Sequence, residues 1–138
     1  EKEISQILEE YPSIQAVIDL HRDGVNENTH LVTEIDGKPM ARFMFFNGLS
    51  RTKKNGPIDY LYNPYIEDNL ALTLQLKLLC DQYYPGLSRN IYLKSLRYNL
   101  HLSDKALLIE VGAQTNTLQE ILNTMEPLSV LLAKVFLM

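Results

Sequence analysis

The sequence predicts an α/β fold in which helices flank a mixed, mostly parallel sheet. Three observations carry that prediction. Two short, strongly apolar runs, 14–20 and 107–111, have the texture of strands buried on both faces. Segments with helical spacing of apolar residues stand before, between and after them. An Asp36-Gly37 pair divides two alternating runs, as a hairpin turn does. With 138 residues, 46% hydrophobic and 22% charged, the chain has the size and composition of one folded domain.

Taken in order, residues 1–10 place Ile4, Ile7 and Leu8 on one side of a short amphipathic helix, and Tyr11-Pro12 stops it because proline disfavours helix in the residue before it. The run 14–20 is a buried strand that ends abruptly at His21-Arg22-Asp23-Gly24. Residues 29–47 alternate, and the two arms 31–35 and 38–46 read as a hairpin around Asp36-Gly37. The stretch 50–63 is polar and carries Lys53-Lys54-Asn55-Gly56-Pro57, the composition of a surface loop, here expected to be mobile and able to gate a groove. A long helix is predicted over 64–82, with Pro64 suited to its first turn and Leu70, Leu74, Leu78 and Leu79 as its apolar residues. Tyr83-Tyr84-Pro85-Gly86 ends it, 91–93 reads as a short edge strand, and the buried strand 107–111 runs into Gly112. A closing helix spans 115–137, opened by a capping box of Thr117 and Glu120 and kinked or interrupted by Pro127.

Composition excludes several function classes. Thirteen Lys and Arg against seventeen Asp and Glu give a net charge of −4, so there is no basic footprint for nucleic acid. The single Cys80, set among leucines, cannot form an internal disulfide or a multi-cysteine zinc knuckle and reads as a buried thiol. No apolar run reaches the ~18 residues of a membrane span, and the start Glu1-Lys2-Glu3-Ile4 lacks the features of a signal peptide, so the chain is expected to begin mid-protein. The glycines form neither a Gly-x-Gly-x-x-Gly nor a Gly-Lys-Ser/Thr loop, the serines lack a nucleophile elbow, and most tyrosines are expected to pack.

What remains is a coincidence. Both strongly apolar strands end in an ionisable residue followed shortly by glycine, in Leu20-His21-Arg22-Asp23-Gly24 and in Ile109-Glu110-Val111-Gly112. Ligands of open α/β sheets bind at the carboxyl ends of parallel strands, which puts His21 and Glu110 where chemistry is housed. An imidazole there can ligate zinc or move protons, and a carboxylate can act as base or ligand. The competing reading is plain: a histidine after a strand is more often a loop residue, and a glutamate at a strand end is often a cap or an ion-pair partner. His30 and His101 complete no metal motif by spacing and are expected to be structural or surface residues.

The segments Tyr11-Pro12-Ser13-Ile14, His21-Arg22-Asp23, Tyr84-Pro85-Gly86-Leu87-Ser88-Arg89, Arg97-Tyr98-Asn99 and 108–117 resemble, in this order, the stage II sporulation protein P family, a branch of the zinc-dependent N-acetylmuramoyl-L-alanine amidases. The resemblance covers almost the whole chain. It implies a peptidoglycan hydrolase on an amidase-like fold. Such an enzyme cuts the amide between N-acetylmuramic acid and the L-alanine of the stem peptide, with a cross-link endopeptidase activity also attributed to the family, in sporulation septal thinning and engulfment. By the same resemblance His21 is a zinc ligand and Glu110 the catalytic glutamate that activates the attacking water, while Arg22, Arg89, Tyr98 and Asn99 are candidate substrate-binding or supporting residues. A further His and a Glu ligand, with the N-terminal strand or strands, are expected upstream of residue 1, so residues 1–138 read as the C-terminal part of one catalytic domain, inactive by itself. The resemblance also implies sporulation proteins D and M as partners, an extracytoplasmic place at the sporulation septum or engulfing membrane, and a membrane anchor only through an absent N-terminal segment. Gly24 stands where the family often has serine and His101 where an acidic residue is expected, departures that touch substrate contacts rather than metal chemistry. The alternative is a non-catalytic peptidoglycan-binding or scaffolding module on the same fold.

Overall fold

The computed structural model describes residues 1–137. In chain order its elements are α1 (Lys2–Glu10), β1 (Val17–Asp23), β2 (Val32–Ile35), β3 (Lys38–Ala41), β4 (Phe43–Gly48), β5 (Arg51–Thr52), β6 (Gly56–Pro57), a single 3-10 turn (Asp59–Leu61), α2 (Ile66–Tyr83), β7 (Tyr92–Lys94), β8 (Ala106–Ala113) and α3 (Leu118–Phe136). The main sheet has the order β1-β8-β4-β7. β1 runs parallel to β8 and β4 parallel to β7, while β4 and β8 are antiparallel, so two of the three pairings are parallel. This is the mixed, mostly parallel α/β sheet that the sequence predicts.

One face of the sheet carries Phe43, Phe45, Leu107, Ile109 and Val111, and both long helices cover it. α2 contributes Leu72, Leu76 and Cys80, spaced four apart along one stripe, and α3 contributes Leu128 and Leu131. The opposite face is a smaller apolar layer of Met44, Phe46, Leu100, Ala106 and Leu108, with Val17 against it. α3 begins with the expected capping box, in which the Thr117 hydroxyl accepts from the Glu120 N–H and the Glu120 carboxylate from the Thr117 N–H. The helix continues through the buried Pro127, which does not interrupt it.

Four expectations are corrected. β1 is not buried on both faces: among the described residues it is the outermost strand of the sheet, and Ile18 and Leu20 are 44% and 53% exposed. The hairpin ends at Ala41; after Arg42 the chain leaves it, and Phe43–Gly48 enters the middle of the main sheet fully buried. The four consecutive apolar residues from Phe43 to Phe46 are the reason, since a strand covered on both faces needs no polar alternation. In α2 the inward stripe is Leu72, Leu76 and Cys80, whereas Leu74 and Leu78 point to solvent. Finally, residues 50–63 are folded by the β5–β6 pair and the 3-10 turn, and they follow the far end of β4. Glu110 lies opposite Met44, and six further residues at ~3.3 Å each put Ser50 roughly 20 Å along the strand from it. A segment at that end does not close over Glu110.

Candidate functional site

In the parallel register of β1 and β8, His21 stands directly opposite Glu110, and paired residues share a face. That face is the one bearing Met44, Phe46 and Leu108, away from the long helices. Alternation along β1 adds Asp19 to it, and the His21 Nε2 lies 2.6 Å from Asp19 Oδ1. The carboxylate fixes the ring and leaves Nδ1 as the nitrogen without a protein partner among the described residues. The His21 side chain is half exposed, open to an incoming ligand.

Past His21 the register of β1 against β8 slips, so that Asp23 comes opposite Ala113. Asp23 acts on the Glu110 carboxyl from this end of β1. Arg89 holds Asp23 from the other side, its Nη1 donating to Oδ2 at 2.7 Å. Arg89 is in turn positioned by its own backbone, whose N–H donates to the Phe43 carbonyl at 2.7 Å. Four ionisable side chains from three segments of the chain thus meet at one end of the sheet. Burial, and after it the neighbouring Asp23 carboxyl, push the Glu110 carboxyl above its ordinary value, while His21 and Arg89 pull it the other way. A carboxyl so placed carries a proton closer to neutrality than a free one does, which suits it to accept and return one. Beside Arg89 the surface forms a shallow hollow of about 350 Å³, lined by Arg42, Met44, Ser88, Arg89, Asn90 and Tyr92.

The other candidates lie elsewhere. Arg22 alternates to the opposite side of β1, where its Nη2 donates to the Ala113 and Asn116 carbonyls at 2.7 and 3.1 Å and its Nε to Ala113 at 3.3 Å. It anchors the turn between β8 and α3. Gly112 makes that turn possible: its φ is +59°, and a Cβ there would come within 2.7 Å of the Asn116 Oδ1 that receives the Ala113 N–H. Tyr98 lies on the site face but further along, its ring packed edge-on against Phe46 with centroids 4.8 Å apart. Asn99 follows it, half-buried, with its carbonyl accepting from Leu102 N–H. His30 binds the Glu120 carboxylate at 2.8 Å and His101 the Glu1 carboxylate at 3.0 Å, and neither is among the groups acting on the Glu110 carboxyl. Residue-by-residue reading gave Asp19 and Asp23 no role, although counting by two from His21 along a strand puts both on its face.

Against protein families, residues 1–135 match the one described as Stage II sporulation protein P. The chain belongs to that family. Among characterised relatives, the stage II sporulation protein P of Bacillus subtilis (strain 168) is 33% identical over 114 residues, which cover 79% of this chain and 25% of that protein. The chain therefore spans about a quarter of the length of the relative it matches. No solved structure matches it. Membership of this family places the chain among sporulation proteins. Within the described residues of this family member, no helix is long and apolar enough to cross a membrane. No group of three or more His, Cys, Asp or Glu side chains among them is disposed to hold a metal ion by itself.

Proposed function

We propose that this chain forms the C-terminal part of the catalytic domain of a peptidoglycan hydrolase that cleaves the amide between N-acetylmuramic acid and L-alanine, on the outer side of a sporulating cell's membrane. The observation that supports this most is the direct pairing of His21 with Glu110 on an open face of the sheet, with Asp23 and Arg89 tuning the carboxyl. Glu110 takes a proton from the attacking water and returns it to the departing amine. Arg89 keeps Asp23 in place, and Asp23 beside Glu110 raises that carboxyl's affinity for a proton. Asp19 holds the imidazole of His21 in one orientation.

The residues here fit a zinc ion only in part. His21, oriented by a carboxylate, is one ligand, and the remaining donors, a His and a Glu, would come from outside residues 1–138. When bound, zinc polarises the scissile carbonyl and acidifies water. The partners proposed with this reading are the sporulation proteins D and M.

The test uses the full-length protein that carries this chain, incubated with purified peptidoglycan and analysed by mass spectrometry of the released fragments. Free stem peptides with an L-alanine amino terminus are expected from the native protein and not from Glu110→Gln, at equal zinc content. Continued release by the variant would refute the role of Glu110, and an intact wall with the native protein would leave a binding module in place of an enzyme.

A further inference from the structure

The shallow hollow beside Arg89 carries a charge that the proposed proton transfer does not use. Residues 42–44 and 88–92 frame it. They belong to two segments, 37–58 and 82–103, that hold eight of the chain's thirteen Lys and Arg and none of its seventeen Asp and Glu. On a chain of net charge −4 that is a local excess of cations. The backbone of Arg42 extends the pairing of β4 with β8, its carbonyl accepting from the Gly112 N–H at 2.9 Å, and its Nε donates to the Gly86 carbonyl at 3.0 Å. The second bond steers the guanidinium and leaves Nη1 and Nη2 without a partner among the described residues. On Arg89, Asp23 takes Nη1, while Nε and Nη2 are likewise without a partner there. None of these four nitrogens is among the buried unpaired atoms of the described residues, so each reaches solvent. Arg89 is neutralised by Asp23 and Arg42 makes no ion pair among the described residues, so the net positive charge of the hollow is that of Arg42.

We propose that this hollow binds a carboxylate of the peptide on the leaving side of the scissile amide, and that Arg42 is the residue that selects for it. The paired N–H groups of a guanidinium match the two oxygens of a carboxylate, and Arg42 offers such a pair in Nη1 and Nη2. Arg89 adds the N–H groups that Asp23 leaves free, and the exposed Asn90 stands on the rim. Asp23, bound to the same Arg89, repels a dianion more than a monoanion, which favours carboxylate over phosphate. The position suits a group close to the bond being cut. Arg42 stands two residues before Met44, which lies opposite Glu110, so ~3.3 Å per residue along the strand and ~4.8 Å between strands put the Cα atoms of Arg42 and Glu110 roughly 8 Å apart. One residue of an extended peptide spans ~3.3–3.6 Å, so that separation is about two residues. The choice of a peptide as the carrier of the carboxylate rests on the peptidoglycan reading.

The experiment measures binding to the full-length protein in its Glu110→Gln form, by calorimetric titration with N-acetylmuramoyl-L-alanyl-D-glutamate and, separately, with the diamide of the same compound. The diacid is expected to bind at least tenfold more tightly than the diamide, with the gap narrowing as salt is raised. Adding Arg42→Met is expected to bring the two affinities within about twofold of each other, and Arg42→Lys, which keeps the charge without the paired N–H groups, to restore part of the gap. Arg42→Gln keeps a donor for the Gly86 carbonyl and serves if Arg42→Met does not fold. A role of Arg42 confined to holding the Gly86 turn weakens both ligands alike and leaves their ratio unchanged. Equal affinities for diacid and diamide, no binding of either, or a gap that survives the loss of the Arg42 charge, overturn the proposal. Binding is read on a form that does not cut, so the two readings fall separately: a wall cut by the native protein with equal affinities here refutes the hollow alone, and a tenfold preference with an uncut wall refutes the hydrolase alone.

Discussion

Replacing Arg89 by methionine keeps most of the side chain's apolar stem and removes the charge that faces Asp23. The two side chains are 26% and 20% exposed, and the bond between them is 2.7 Å. Removing one partner of a fully buried pair costs about 3–5 kcal/mol, and an exposed pair is worth ~0–1 kcal/mol. A pair covered over roughly three-quarters of its surface falls between, at about 2 kcal/mol. At ~2.1 cal/mol/K of unfolding entropy per residue, a chain of this length loses roughly 7 °C of Tm for that cost. The substitution has a second consequence with a fixed sign. Arg89 is one of the two groups that pull the Glu110 carboxyl down, so without it Glu110 must titrate at higher pH. The assay is thermal unfolding of Arg89→Met, Asp23→Asn and the double variant, combined with an NMR titration of the Glu110 carboxyl carbon. A coupling energy near zero in the cycle, or a Glu110 titration that stays put or moves to lower pH, would refute the electrostatic account of the site.

Other substitutions probe Glu110 itself and the turn between β8 and α3. Because Glu110 binds its proton more tightly in the folded chain than at its ordinary value of 4.5, its ionised form opposes folding. Wild-type stability from this group is full below pH 4.5 and falls as pH rises through the raised folded value; Glu110→Gln escapes the fall, so in urea titrations it is expected to be the more stable protein at pH 7 and to lose that advantage below pH 4.5. Arg22→Lys cannot reproduce three donations to two carbonyls and is expected to cost about 1–2 kcal/mol by denaturant unfolding, with KM for wall fragments unchanged, because the guanidinium supports a turn. Gly112→Ala combines a left-handed φ with a Cβ within 2.7 Å of Asn116 Oδ1 and is expected to cost about 2–3 kcal/mol, with faster hydrogen exchange at the Ala113 amide.

How legible this protein was in its sequence depended on how local each determinant is. β8 and the start of α3 were readable because their signals are contiguous: an apolar run over 107–111, and a threonine three residues before a glutamate. The Asp36-Gly37 turn was readable for the same reason, with φ values of +50° and +76° at the two positions. The continuation of its second arm was misread because residues 38–46 do two jobs, first pairing with β2 and then joining β8, and only the uninterrupted apolar stretch at Phe43 marks the change. β1 looked buried because Ile18 and Leu20 are as apolar as any core strand, and side-chain type does not say whether a neighbour is present. In α2 every third or fourth position offers a leucine on more than one face, so spacing alone left the inward stripe undecided. At the site, His21 and Glu110 were found by their places at strand ends. The coupling of Asp23 to Arg89 is hidden, because it joins residues 66 positions apart in the chain.

The outer border of β1 has a consequence for how this protein has to be handled. Between Val17 and Asp23 one row of backbone donors and acceptors meets no neighbouring strand among the described residues, and Ile18 and Leu20 are exposed beside it. Such a border is a template for another extended segment. His21 is part of it, half open, with its imidazole steered by Asp19. A segment pairing along this strand runs beside His21, whose ring stands on the face it shares with Glu110, so it would change the surroundings of the imidazole without displacing Asp19 from it.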